Sequence, residues 1–177
     1  MTTIYSARWV LPVSAAAIEN GAVAVEGQRI AGVGPESEIV ARFPEARIES
    51  LGEAVILPGL VNTHTHLELT ALRGYLEKEE NDFFAWLRKL TIARLERMTP
   101  DDIRVSAMWG ACEAVRAGIT YVGDASDSAL VSMRALQEVG LRGVVYQESF
   151  GPDARLAQEN FEKLKVKVHE LREQENE

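Results

Sequence analysis

One cysteine, Cys112, is all the thiol chemistry this chain has. No intrachain disulfide can form, and a reducing compartment is the natural setting. Basic residues are in the minority, with 19 Lys and Arg against 27 Asp and Glu and a formal charge of −8. With no basic arm or patch motif, that balance argues against a nucleic-acid partner. Long apolar runs are missing as well. The longest near the amino terminus, Trp9 to Ile18, is broken by Pro12 and Ser14, is too short to cross a bilayer and follows no basic leader. The expectation is a cytoplasmic protein with no membrane partner. Histidine is also scarce, at 3 residues, so the positions of those three carry weight.

What remains is enough for a sizeable core, since 46% of the 177 residues are hydrophobic. The expected fold class is α/β. Residues 1–57 read as a β-rich, sandwich-like module. Ile4 to Val10 and Ala22 to Val25 are strand-like, and Glu26-Gly27-Gln28-Arg29 turns into Ile30 to Val33. A short helix over Glu36 to Phe43, stopped by Pro44, precedes a strand at Arg47 to Leu51.

Over residues 58–177 strand and helix alternate, as in a parallel sheet wrapped by helices. Helix spacing covers Phe83 to Met98, with Asn81 or Asp82 as the cap and Phe83, Leu87, Leu90 and Leu95 on one side. The next helix starts on Thr99, has Pro100, Asp101 and Asp102 in its first turn, and ends at Gly118. Its buried stripe is Ile103, Ala107, Ala111 and Ala114, with Cys112 expected to be a buried thiol beside them. Strands follow at Ile119 to Gly123 and Leu141 to Gln147, and helices at Ser128 to Val139 and from Asp153 to about Leu171. A polar tail, 172–177, completes the chain.

The first of these parallel strands ends in Leu57-Pro58-Gly59-Leu60-Val61-Asn62-Thr63-His64-Thr65-His66. Residues two apart in a strand share a face, so His64 and His66 project together while Thr65 turns away. Their imidazoles can then reach one cation. By the same parity Leu60 and Asn62 make that face apolar lower down and polar toward the end where a site would open. A His-x-His pair alone is weak evidence, because neutral histidine is also an ordinary hydrogen-bonding residue.

Pro58, Gly59, His64 and His66 match the Pro-Gly-aliphatic-x-x-x-His-x-His motif that ends the first barrel strand in the amidohydrolase superfamily. The chain resembles the branch that holds cyclic deaminases and triazine hydrolases. Ile18 to Val25 and Gln28 to Gly34 are similar to that branch's amino-terminal β-module, and Glu113 to Thr120 with Asp124 to its second barrel unit. The resemblance implies a TIM-type (β/α) barrel of eight strands, of which residues 58–177 supply about three. Such barrels typically take roughly 250 residues, so the expectation is the amino-terminal part of a longer enzyme.

The resemblance also implies one divalent metal, zinc with iron as the alternative, held by the motif's two histidines together with two histidines and an aspartate on later strands. Of these only His64 and His66 are present. His169 sits mid-helix and is excluded by the strand-end logic of barrel sites. The implied chemistry draws on a water whose pKa a divalent metal lowers to about 7 and on a carboxylate that moves protons to the leaving group. That carboxylate is a glutamate expected beyond Glu177, so no catalytic residue is assigned within the chain. Substrate contacts are expected from Glu68 and Glu148 near the strand ends and from Trp86, which could close over a flat ring. Asp124 and Asp127 read as loop hydrogen-bonding residues, and Glu77 to Asp82 as a solvated loop face.

Two readings result. The preferred one is the amino-terminal portion of a metal-dependent hydrolase of carbon–nitrogen bonds, deaminating a small cyclic amidine-like substrate such as a purine or nucleoside. A cytidine-type zinc deaminase is disfavoured, because its site needs paired cysteines. The alternative is a non-catalytic fragment with weak metal binding. It would fold only with a complementary carboxyl-terminal chain or as a homo-oligomer, since the outer strands expose unpaired edges and a catalytic zinc usually has three protein ligands.

Overall fold

The computed structural model describes residues 1–79, 81–151 and 153–174, so the end of the polar tail, 175–177, lies outside the described residues. The chain divides into two compact units, Met1–Pro58 and Gly59–Glu177. Among the described residues no helix is long and apolar enough to cross a membrane.

The first unit is one sheet of five strands: β1 (Thr2–Val10), β2 (Ile18–Glu26), β3 (Arg29–Pro35), β4 (Arg47–Ser50) and β5 (Val55–Ile56). Their order is β3-β2-β1-β4, with β5 pairing β1 beyond β4. The hairpin from β2 to β3 turns at Gly27, whose φ of 60° suits a residue without a Cβ. Helix α1 (Glu36–Arg42) lays Ile39 on Ile4, Ala22 and Ala24, and Phe43 and Val40 extend this core.

The second unit holds β6 (Leu60–Thr65), β7 (Ile119–Ser126) and β8 (Arg142–Gln147), all parallel and in chain order across the sheet. Helix α3 (Pro100–Arg116) connects β6 to β7, and α4 (Ala129–Val139) connects β7 to β8. Parallel neighbours require such crossovers, which is why the sequence alternates. Thr99 and Asp102 close a reciprocal capping box on α3, satisfying donors that the first turn leaves orphaned. Gly140 ends α4 in the left-handed conformation. Small residues on α3 bring it close: Ala107, Ala111 and Ala114 are buried with Leu67, Val122, Ala135, Leu136 and Leu141.

Cys112 is exposed, contrary to expectation. One residue along a helix rotates about 100°, so a neighbour of the buried Ala111 need not share its face. The helix expected over Phe83 to Met98 is interrupted as well. Helix α2 (Phe83–Ile92) is capped by Asp82, whose carboxylate accepts from the Ala85 amide, and it passes into a π-helical turn over Ala93–Arg97. Phe83, Leu87 and Leu95 are exposed. The last helix, α5 (Ala157–Gln174), follows a short 3-10 turn, and it too has no fully buried residue.

Candidate metal centre

Strand β6 does not carry its histidines in regular register. Its pairing with β7 shifts between Asn62 and Thr65, and the strand ends at Thr65. His66 stands beyond it, preceding a 3-10 turn over Leu67–Leu72 with φ −132° and ψ 77°. Irregularities of this kind re-aim side chains at strand ends. The rings of His64 and His66 nevertheless meet, with centroids 4.9 Å apart and planes at 85°. Glu148, just past β8, lies 3.8 Å from His66 Nδ1. That is too long for a hydrogen bond.

His66 also lines a cleft of about 330 Å³ with Leu69, Thr70, Arg73, Leu76 and Trp86. Trp86 and His66 are thus brought to one concavity. Glu68 is not part of it. It is 2% exposed, and its carboxylate is directed inward, accepting from the Ser126 hydroxyl at 2.7 Å and from the Ser128 amide at 3.0 Å. Strand parity does not extend to residue 68, because the chain has already turned into the 3-10 helix.

Around Glu68 lies a network that sequence reading missed. Arg94, on the π-helical turn, places Nε 3.0 Å from Glu68 and its terminal nitrogen 2.9 Å from Asp127, which Lys167 of α5 meets at 2.8 Å. Burial works against the Asp127 carboxylate, but hydrogen bonds and charge from Lys167 and Arg94 outweigh it, so its pKa lies below the ordinary value. His169 is exposed on α5 and pairs with Glu173 at 3.3 Å.

The donor set can be tested against a metal. Two adjacent imidazoles suit zinc or iron, but among the described residues no group of three or more His, Cys, Asp or Glu side chains gathers to hold an ion. His64 and His66 therefore fit two coordination positions and leave the others to be supplied.

The amidohydrolase family profile matches residues 55–177. The chain belongs to the amidohydrolase family. Members generally bind a divalent metal. Within the first unit, residues 21–46 match an imidazolonepropionase-like composite domain of bacteria. A 5-methylthioadenosine/S-adenosylhomocysteine deaminase of Nitratidesulfovibrio vulgaris is 34% identical over 76% of this chain and 30% of its own length. A 5'-deoxyadenosine deaminase of Methanothrix thermoacetophila is 33% identical over 75% of this chain and 32% of its own length. The chain thus spans about a third of the curated relatives it matches. Among solved structures, aminofutalosine deaminase of Helicobacter pylori with methylthio-coformycin superposes with a TM-score of 0.78 at 24% identity, covering 97% of this chain and 40% of that one. An adenosine deaminase of Xanthomonas campestris with bound zinc gives 0.65 at 25% identity, covering 80% and 32%. These folds are amidohydrolase barrels, and a partial barrel of parallel strands fits them.

Proposed function

We propose that this chain is the metal-binding front part of a hydrolase that deaminates a purine nucleoside or a related cyclic amidine. The observation that carries the reading is the meeting of the His64 and His66 rings at 4.9 Å, with His66 lining a cleft that it shares with Trp86. The two imidazoles would hold one divalent cation, zinc or iron, which supplies Lewis-acid activation of water for attack at an electron-poor ring carbon. Trp86 offers an aromatic face to a flat heterocycle, and Glu148 stands 3.8 Å from His66 Nδ1 at the edge of the pair. The adenosine-type substrates of relatives such as the methylthioadenosine and deoxyadenosine deaminases support the substrate class. A cytoplasmic setting remains part of the reading.

One observation favours a second reading for the chain by itself. Two histidines leave a catalytic zinc short of its usual three protein ligands, and among the described residues β6 and β8 each pair on one side only. In isolation the chain would then be inactive, gaining function with the remaining strands on a complementary chain. The test is a deaminase assay on adenosine and 5'-methylthioadenosine, following the absorbance change as the amino group is replaced by oxygen. Turnover is expected only when a chain bearing the later strands is added to the zinc-loaded protein. Substantial turnover by this chain alone would overturn the fragment reading, and none in the mixture would overturn the deaminase reading.

A further inference from the structure

Asp124 is the most completely buried carboxylate near the histidine pair, at 0% exposure. A single oxygen, Oδ1, accepts two hydrogen bonds, from the Thr65 hydroxyl at 2.7 Å and from the Leu67 amide at 2.8 Å. Thr65 and Leu67 are the two chain neighbours of His66. The other oxygen, Oδ2, is buried with no hydrogen-bond partner among the described residues. Leaving a carboxylate oxygen unpaired in the interior is costly, so the fold tolerates this group for what Oδ1 does.

We propose that Asp124 is a positioning residue for His66: it pins the residue on either side of that histidine to β7 and so fixes where the imidazole stands relative to His64. The local geometry explains the need. His66 lies past the end of β6, where ladder hydrogen bonds no longer hold the backbone, and the β6–β7 register has shifted between Asn62 and Thr65. Without a side-chain clamp the residue would sample several orientations. Gly123 reinforces the clamp, because a Cβ there would fall 2.7 Å from the Thr63 carbonyl oxygen. The close approach that a glycine permits brings β7 and its Asp124 against the end of β6.

The inference rests on the metal-pair reading above, and its test separates the two. Zinc affinity is measured by competition with a chromophoric chelator for the wild-type chain and for Asp124→Ala, Asp124→Asn, Thr65→Val and Val122→Ala, with thermal melts of each. Removing a group hydrogen-bonded to a metal ligand typically weakens metal binding about 10- to 100-fold, and Asp124, which holds the ligand's two chain neighbours, is assigned the same scale. Asp124→Ala is expected to lose affinity in that range. Asp124→Asn keeps an acceptor oxygen and should restore most of it, and Thr65→Val, which removes one of the two donors, should fall between. Val122→Ala, in the same strand's core, controls for destabilisation and should melt lower with affinity unchanged. Equal affinity loss in Asp124→Ala and Val122→Ala would overturn the positioning role, as would wild-type affinity in Asp124→Ala. If Asp124→Ala does not fold, an unchanged affinity in folded Thr65→Val overturns it. If the wild type binds zinc no better than a chain lacking both histidines, the metal-pair reading fails and takes this inference with it.

Discussion

Glu68 and Arg94 form a buried ion pair, with Arg94 Nε 3.0 Å from Glu68 Oε1 and only 3% and 13% of the two side chains exposed. The pair joins the turn after β6 to the π-helical turn after α2, and through Ser126, Ser128 and Asp127 it joins both to the end of β7. Three segments at one end of the sheet are therefore braced by charged and polar contacts.

Breaking that brace from one side should be expensive. Glu68→Ala leaves the Arg94 guanidinium buried with Asp127 as its remaining carboxylate, and removing one partner of a buried pair costs about 3–5 kcal/mol. Urea denaturation is expected to show a loss of that order. A loss below about 1 kcal/mol, the scale of exposed pairs, would contradict the buried character of the network.

A second prediction concerns Arg73 and Glu113. Their forked contact, at 2.9 and 2.6 Å, ties the segment after the 3-10 turn to α3. Hydrogen bonding from Arg73, and then from Trp109, lowers the Glu113 pKa to about 2. A depressed carboxylate stabilises the fold above its unfolded pKa, here near the ordinary 4.5, and that contribution disappears as pH falls from there toward 2. In Arg73→Gln the Glu113 resonance, followed by NMR, should titrate closer to 4.5. A midpoint still near 2 would assign the shift elsewhere.

Gly110 makes a third. A Cβ at this position would press on the Thr70 hydroxyl and lie 3.0 Å from Leu67 Cδ2. Gly110→Ala raises intrinsic helix propensity, yet overpacking of this kind typically costs about 1–3 kcal/mol. Thermal melting should therefore show a lower midpoint. A higher one would mean that the 3-10 turn yields freely.

Much of this architecture could be read from residues because its determinants are local. Thr99, Pro100 and Asp102 announce the start of α3, Gly118 and Gly140 mark helix ends, and the alternation of strand and helix gives parallel order. The His64 and His66 pair was also legible, although the strand-parity argument for it holds only in outcome: the register shift and the end of β6 at Thr65 mean that backbone irregularity aims the rings together. Contacts between distant residues were not legible. Nothing in the spacing of Glu68, Arg94, Asp127 and Lys167 says that they meet, and it is the 3-10 turn after β6, which strand parity does not foresee, that buries Glu68 away from the cleft. Cys112 was misplaced because alanine and cysteine are both small, so α3 offers little hydrophobic contrast between its inner face and the residue next to it.

The central claim, that His64 and His66 act together as a metal pair, is tested most directly by isothermal titration of zinc into the wild-type chain and into the His64→Ala, His66→Ala double variant. The account predicts saturable binding of one zinc per wild-type chain and its loss in the double variant. Equal zinc uptake by the two proteins would contradict it.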